Sequence, residues 1–147
     1  MKRNLPYFIG PPLVLLLGIL SGTSSGPGEW YATLQKPWFT PPSWAFGPVW
    51  TVLYLTIGWV GARKWLYGGR RGLWAFQMLL NFAWSPIFFG AQAPVPALGV
   101  IGAMWLSIAA FIGLEWKADA LSARLFLPYL LWVSIATSLN LAIVVLN

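Results

Sequence analysis

Hydrophobic runs of membrane length alternate along this chain with short breaks, and the breaks differ in kind. The runs cover about residues 5–25, 46–66, 73–90, 95–115 and 121–146, each close to the roughly 20 apolar residues that a helix needs to cross a bilayer. This pattern predicts an all-α membrane protein: a five-transmembrane-helix bundle in one domain spanning 1–147. The first run follows Lys2 and Arg3 and ends in Ser and Gly, as a cleaved leader would. Its length favours a retained span, with Pro6, Pro11 and Pro12 expected to kink it or start it late.

The first break, 27–45, stands apart from the others. From Glu29 to Trp50 seven of 22 residues are aromatic and four are proline, with only Glu29 and Lys36 charged. A soluble connector would be rich in Gly, Ser and charge, and a buried one would not need the prolines. This segment therefore reads as an aromatic, proline-rich lid between the first two helices, pinned near the membrane surface. The remaining breaks are the basic turn Gly68-Gly69-Arg70-Arg71-Gly72, an uncharged turn over 91–96 and a mixed-charge link to Arg124.

Composition narrows the chemistry. With 59% hydrophobic and 8% charged residues, the chain cannot supply the charged skin of a soluble domain, which averages about 25% charged. The net charge of +6 is spread over nine scattered basic residues that form no nucleic-acid groove. There is no Cys and no His, which removes thiolate nucleophiles, imidazole acid–base chemistry and the usual metal ligands. Glu29, Glu115 and Asp119 are the only carboxylates, and they read as too few and too separated to hold a metal. No metal, no cofactor and no conventional catalytic constellation are expected.

Charge placement sets an orientation. With five spans, Lys2, Arg3, Arg63, Lys64, Arg70, Arg71, Lys117 and Arg124 fall on one side and Lys36 alone on the other. The positive-inside rule then puts the N-terminus in the cytoplasm, and the lid and C-terminus outside. Helical spans favour the inner membrane of a bacterial cell.

Inside the runs, neutral polar residues share helix faces with aromatic ones. Gln77, Asn81, Trp84 or Ser85, and Phe88 fall on one face, and Tyr129, Trp132, Ala136 and Asn140 on another. Trp50, Tyr54 and Gly58 make a third. Such faces suit a flat, largely apolar ligand with a few polar edges. Two readings stand for each: the amides as interhelical glue or as pocket lining, and the tryptophans as cavity wall or as interfacial belt. The belt is the expected place of Trp30, Trp65, Trp74 and Trp116. In the fourth run, Gly99, Ala103 and Ser107, then Ala109 and Gly113, recur every four residues, the register of either a tight intrabundle contact or a homodimer seam.

Three runs carry a family resemblance. Trp30-Tyr31-x-x-Leu34-x-Lys36-Pro37, Pro41-Pro42-x-Trp44 and Gly47-Pro48-Val49-Trp50 form the first; Leu80 through Gly90 form the second. Pro128-Tyr129-Leu130-x-Trp132 with Ala136-Thr137-x-Leu139-Asn140 form the third. Together they resemble the TspO/MBR family, which comprises bacterial tryptophan-rich sensory proteins and the translocator proteins, or peripheral benzodiazepine receptors, of mitochondria. The resemblance implies a membrane receptor or transporter, commonly a homodimer, that binds tetrapyrroles such as protoporphyrin IX, and benzodiazepine or isoquinoline drugs, in a lidded cavity. It implies Tyr31, Pro41, Trp50, Tyr54, Asn81, Trp84, Trp132 and Ala136 as lining. For some members it implies light- and oxygen-dependent porphyrin breakdown at the positions of Trp50 and Trp132. A structural or interaction protein is the remaining alternative. Where sterol-binding members have Tyr and then a basic residue after the fifth-span Leu-Asn, this chain has Leu141 and no Lys or Arg beyond Arg124, so sterol affinity by that route is not expected.

Overall fold

The computed structural model describes residues 2–24 and 27–147. Ser25, where the first span is expected to end, lies outside them. A turn of 3-10 helix at Lys2–Asn4 leads into α1 (Leu5–Ser24). The order continues with α2 (Glu29–Thr33), α3 (Ser43–Tyr67) and α4 (Arg71–Ser85), a turn of π-helix at Pro86–Gly90, then α5 (Pro94–Ala118), α6 (Ala120–Leu125) and α7 (Leu127–Leu146). No strand occurs among the described residues. Four helical stretches are long and apolar enough to cross a membrane: Leu5–Ser24, Ser43–Tyr67, Pro94–Ala118 and Ala120–Leu146.

Proline shapes this bundle in three places. α1 is already helical at Leu5 and continues through Pro11 and Pro12, so it does not start late. Its neighbour explains how closely it can pack there: a Cβ added at Gly10 or at Gly58 would lie 2.6 Å from the other residue's carbonyl oxygen. The two backbones touch where no side chain intervenes. In α4, Pro86 has no N–H to give the carbonyl four residues back, that of Phe82. Ser21 of α1 donates its hydroxyl to that oxygen at 2.9 Å, and the chain continues as the π turn, closed by Ala91 N–H donating to the Pro86 carbonyl at 2.8 Å. The fifth apolar run is broken at Phe126, because Pro128 cannot bond back to Arg124; α6 ends there and α7 begins.

Ile57, Val60, Ile108, Phe111, Phe126, Tyr129 and Val133, all without solvent exposure, form the core where α3, α5, α6 and α7 meet. Beneath it lies an ion cluster. Lys64, expected at the interface, is 2% exposed, and its Nζ sits 2.8 Å from both Glu115 Oε2 and Asp119 Oδ2. Arg63 Nε donates to Asp119 at 2.9 Å, Ser122 Oγ at 2.6 Å, and the Arg70 backbone N–H donates to Glu115 Oε1 at 3.0 Å. Glu115 and Asp119 thus converge on one ammonium, with no third metal-binding side chain grouped with them among the described residues. A charge removed from water is tolerable only when paired and hydrogen-bonded, and here each carboxylate has several donors. Burial pushes the Asp119 carboxyl up, but the bonds from Arg63, Lys64 and Ser122 outweigh it and hold the group well below the usual carboxylate range.

Two further expectations change on inspection. Trp74 is not an interfacial anchor: its indole packs over Gly61 and donates to the Ile57 carbonyl at 3.1 Å. Trp30 is half-buried against Phe88, 5.7 Å between ring centroids. On α5, Ser107 is buried while Gly99, Gly102 and Gly113 face open space.

Candidate functional site

At the end of the bundle opposite the ion cluster, α1, α3, α4, α5 and α7 enclose a cavity of about 390 Å³, within the range of small-molecule sites. Each helix contributes through its spacing. Trp50 and Tyr54 are one turn apart on α3, stacked at 5.1 Å. Asn81 and Trp84 share a face of α4, and the π turn carries Phe88 round to stack on Trp84 at 4.9 Å. Trp132, Ala136 and Asn140 line the α7 side, and Ile101 and Met104 of α5 line the back.

The structure therefore brings Tyr31, Trp50, Tyr54, Asn81, Trp84, Trp132 and Ala136 round one space. Pro41, half-buried in the loop, is not among its wall residues. Of the 27–45 segment, Pro27, Tyr31 and Ser43 reach the wall. Tyr31 lies edge-on to Phe89 at 5.4 Å, Lys36 Nζ stands 4.5 Å from its ring centroid, and burial raises its phenol above the ordinary value. The segment is tied to the end of α7 by a reciprocal pair. Gln35 N–H donates to Asn147 Oδ1 at 3.1 Å, and Asn147 Nδ2 donates to the Gln35 carbonyl at 3.0 Å.

The polar groups on the wall are committed in a fixed direction. Tyr54 donates to Asn81 Oδ1 at 2.9 Å, Asn81 Nδ2 to the Tyr129 oxygen at 2.6 Å, and Tyr129 to Gln77 Oε1 at 2.8 Å. Gln77 Nε2 ends the chain on the Trp74 carbonyl at 2.8 Å. Trp84 Nε1 donates to Asn140 Oδ1 at 3.0 Å, and Asn140 Nδ2 to the Pro94 carbonyl at 2.9 Å. Asn81 and Asn140 are interhelical glue and cavity wall at once. Trp132 Nε1 is the one buried side-chain polar atom without a partner among the described residues. Its ring meets Trp50 edge to face at 6.5 Å and Phe46 at 5.6 Å. The Trp132 nitrogen is itself covered, so what the cavity presents is a largely apolar wall of rings with a few polar edges, which suits a flat aromatic ligand. No group of three or more metal-binding side chains occurs among the described residues.

Sequence reasoning missed the α1 wall. Leu15, Gly18 and Ile19 line the cavity, and a side chain at Gly18 would collide with the Tyr54 ring. Gly18 and Gly22 sit four residues apart, the small-residue spacing that marks a close helix contact, and that signal was available. Phe46 and Met104 had none, since each is an ordinary apolar residue until the helices pack.

Comparison with known proteins agrees with this architecture. The TspO/MBR family matches residues 10–146. The chain is similar to the tryptophan-rich sensory protein of Cereibacter sphaeroides, 38% identical over 86% of this chain and 82% of that one. It is also similar to the tryptophan-rich protein TspO of Archaeoglobus fulgidus, 38% identical over 91% and 92%, and to the human translocator protein, 40% identical over 90% and 85%. Four membrane-length apolar helices and this kinship make it a multi-pass membrane protein, and the chain belongs to the TspO/MBR family.

Proposed function

We propose that this protein is a membrane receptor or transporter that holds flat, largely apolar ring ligands, tetrapyrroles of the protoporphyrin IX type foremost, in the aromatic cavity. The observation that carries the reading is the set of aromatic side chains, Trp50, Tyr54, Trp84, Phe88 and Trp132, gathered round one largely apolar space. Benzodiazepine and isoquinoline compounds, which are aromatic and largely apolar, suit the same wall. In this reading Arg71–Gly90 is a fifth span; Gln77 and Asn81 dilute its hydropathy but face inward, where their bonds are met. The 27–45 segment is the lid, lying with the C-terminus outside a bacterial inner membrane, and the outward glycines of α5 form a homodimer seam.

Protoporphyrin IX titrated into purified protein should quench tryptophan fluorescence saturably. Trp132→Ala removes the ring that meets Trp50 at the wall and should weaken binding by roughly tenfold. Quenching no stronger than in empty micelles would refute the reading. A second reading, light-driven breakdown of the bound porphyrin, is favoured by the edge-to-face pair Trp50–Trp132, which places two oxidisable indoles on one ligand. Under illumination in air, Trp50→Phe/Trp132→Phe should bind porphyrin yet leave its absorbance unbleached. Bleaching at the wild-type rate would discard that role for the pair.

A further inference from the structure

A second concavity lies on the outer surface. It is a groove of about 510 Å³ between α3 and α6, walled by Leu55, Thr56, Trp59, Leu121 and Leu125. Both walls belong to helical stretches of membrane length and composition, so hydrocarbon is the solvent that reaches it. Thr56 spends its hydroxyl on the Val52 carbonyl at 2.9 Å, which leaves that part of the wall as apolar as the leucines.

The charge beside the groove decides what kind of molecule fits. Arg124 follows Leu121 by three residues, so the two are neighbours on the surface of α6 beside the groove. It is exposed, and no ion pair or hydrogen bond engages its guanidinium among the described residues. The two carboxylates at this end of the bundle, Glu115 and Asp119, are already spent on Lys64 and Arg63. Arg3, Arg70 and Lys117 are exposed at the same end. Either headgroup brings a phosphate to the free guanidinium, but a zwitterionic one also brings an ammonium with no anion left to meet it, and an anionic one does not.

We propose that this groove seats an acyl chain of an anionic phospholipid whose phosphate is held by Arg124. The site is separate from the ligand cavity and shares none of its wall residues. It gives the basic end of the bundle a defined lipid contact where general attraction would leave a diffuse one.

Native mass spectrometry of the detergent-purified full chain tests this, with phosphatidylglycerol and phosphatidylcholine of identical acyl chains titrated in parallel. The expected result is a one-to-one adduct retained with phosphatidylglycerol in preference to phosphatidylcholine. Arg124→Gln should reduce phosphatidylglycerol retention roughly fivefold, the worth of one basic residue near an anionic lipid, and narrow the preference over phosphatidylcholine. Thr56→Trp, which fills the groove, should lower retention of both lipids while protoporphyrin quenching is preserved. Equal retention of the two lipids by the unmodified protein would overturn the proposal, as would an unchanged preference in Arg124→Gln. Displacement of the lipid by millimolar inorganic phosphate would also overturn it, by showing a phosphate site without an acyl groove. Should Arg124→Gln fail to fold, the lipid comparison on the unmodified protein and on Thr56→Trp decides the matter alone.

Discussion

Replacing Lys64 by Met isolates what the buried ion cluster contributes. The substitution keeps the length of the apolar stem and removes the ammonium that lies 2.8 Å from both Glu115 and Asp119. Asp119 retains Arg63 and Ser122. Glu115, 1% exposed, keeps only the Arg70 backbone N–H on Oε1, and Oε2 is left charged and bare. Breaking one side of a buried pair in this way typically costs about 3–5 kcal/mol. At roughly 2–4 °C per kcal/mol for a chain of this size, the melting temperature should fall by about 6–20 °C. The eleven tryptophans make intrinsic fluorescence in detergent a direct readout of melting. The double variant Lys64→Met/Glu115→Gln removes the stranded charge and keeps an acceptor for the Arg70 N–H, so it should recover most of the loss. A single variant that melts within a degree or two of the parent would refute the reasoning. So would a double variant no better than the single, since the loss would then come from packing.

Asp119→Asn should lower stability at neutral pH. Because the Asp119 carboxyl is held below its ordinary value of 3.8 in the folded protein, its contribution is complete above that value and is lost as pH falls through the folded-state value. The gap between parent and variant in thermal melts should thus be constant from pH 8 to 5 and close on strong acidification; a gap widening toward acid would be the wrong sign. Gly58→Ala drives a methyl to 2.6 Å from the Gly10 carbonyl, an overpacking expected to cost about 1–3 kcal/mol, whereas Gly72→Ala, which meets nothing, should melt like the parent. Asn140→Ala leaves the Trp84 N–H and the Pro94 carbonyl unmatched, a loss of about 1–3 kcal/mol. A shifted Trp84 emission should accompany it, and an unshifted spectrum would mean that water replaces the amide.

Much of the fold was legible because lipid imposes a length on every crossing helix, and that length can be counted. Trp50 with Tyr54, and Trp132 with Ala136, could be grouped because one helical turn separates the members of each pair. What could not be read depends on partners far along the chain. Lys64 looked like an interfacial lysine because Glu115, 51 residues away, gives no local sign of reaching it. Trp74 looked like a belt residue until Gly61 made room for its ring. Pro86 lies inside a run read as one span, 73–90, and gave no sign that Ser21 would take up the freed carbonyl or that the chain would resume as a π turn placing Phe88 at the wall. In the aromatic loop, Tyr31 reaches the cavity and Pro41 does not, a difference set by the short helix α2, which the loop's composition concealed.

The packed layer between the cavity and the ion cluster sets the terms of traffic. Ile108, Phe111, Phe126 and Tyr129, all fully enclosed, close the inner end of the space, with Lys64, Glu115 and Asp119 sealed behind them. In this conformation the cavity has a closed floor, and a molecule admitted from the aromatic end meets close-packed side chains there. Passage to the far side would require parting close-packed rings and a neutralised charge cluster together. Flux of a ligand across the bilayer would therefore report a second conformation with a different floor.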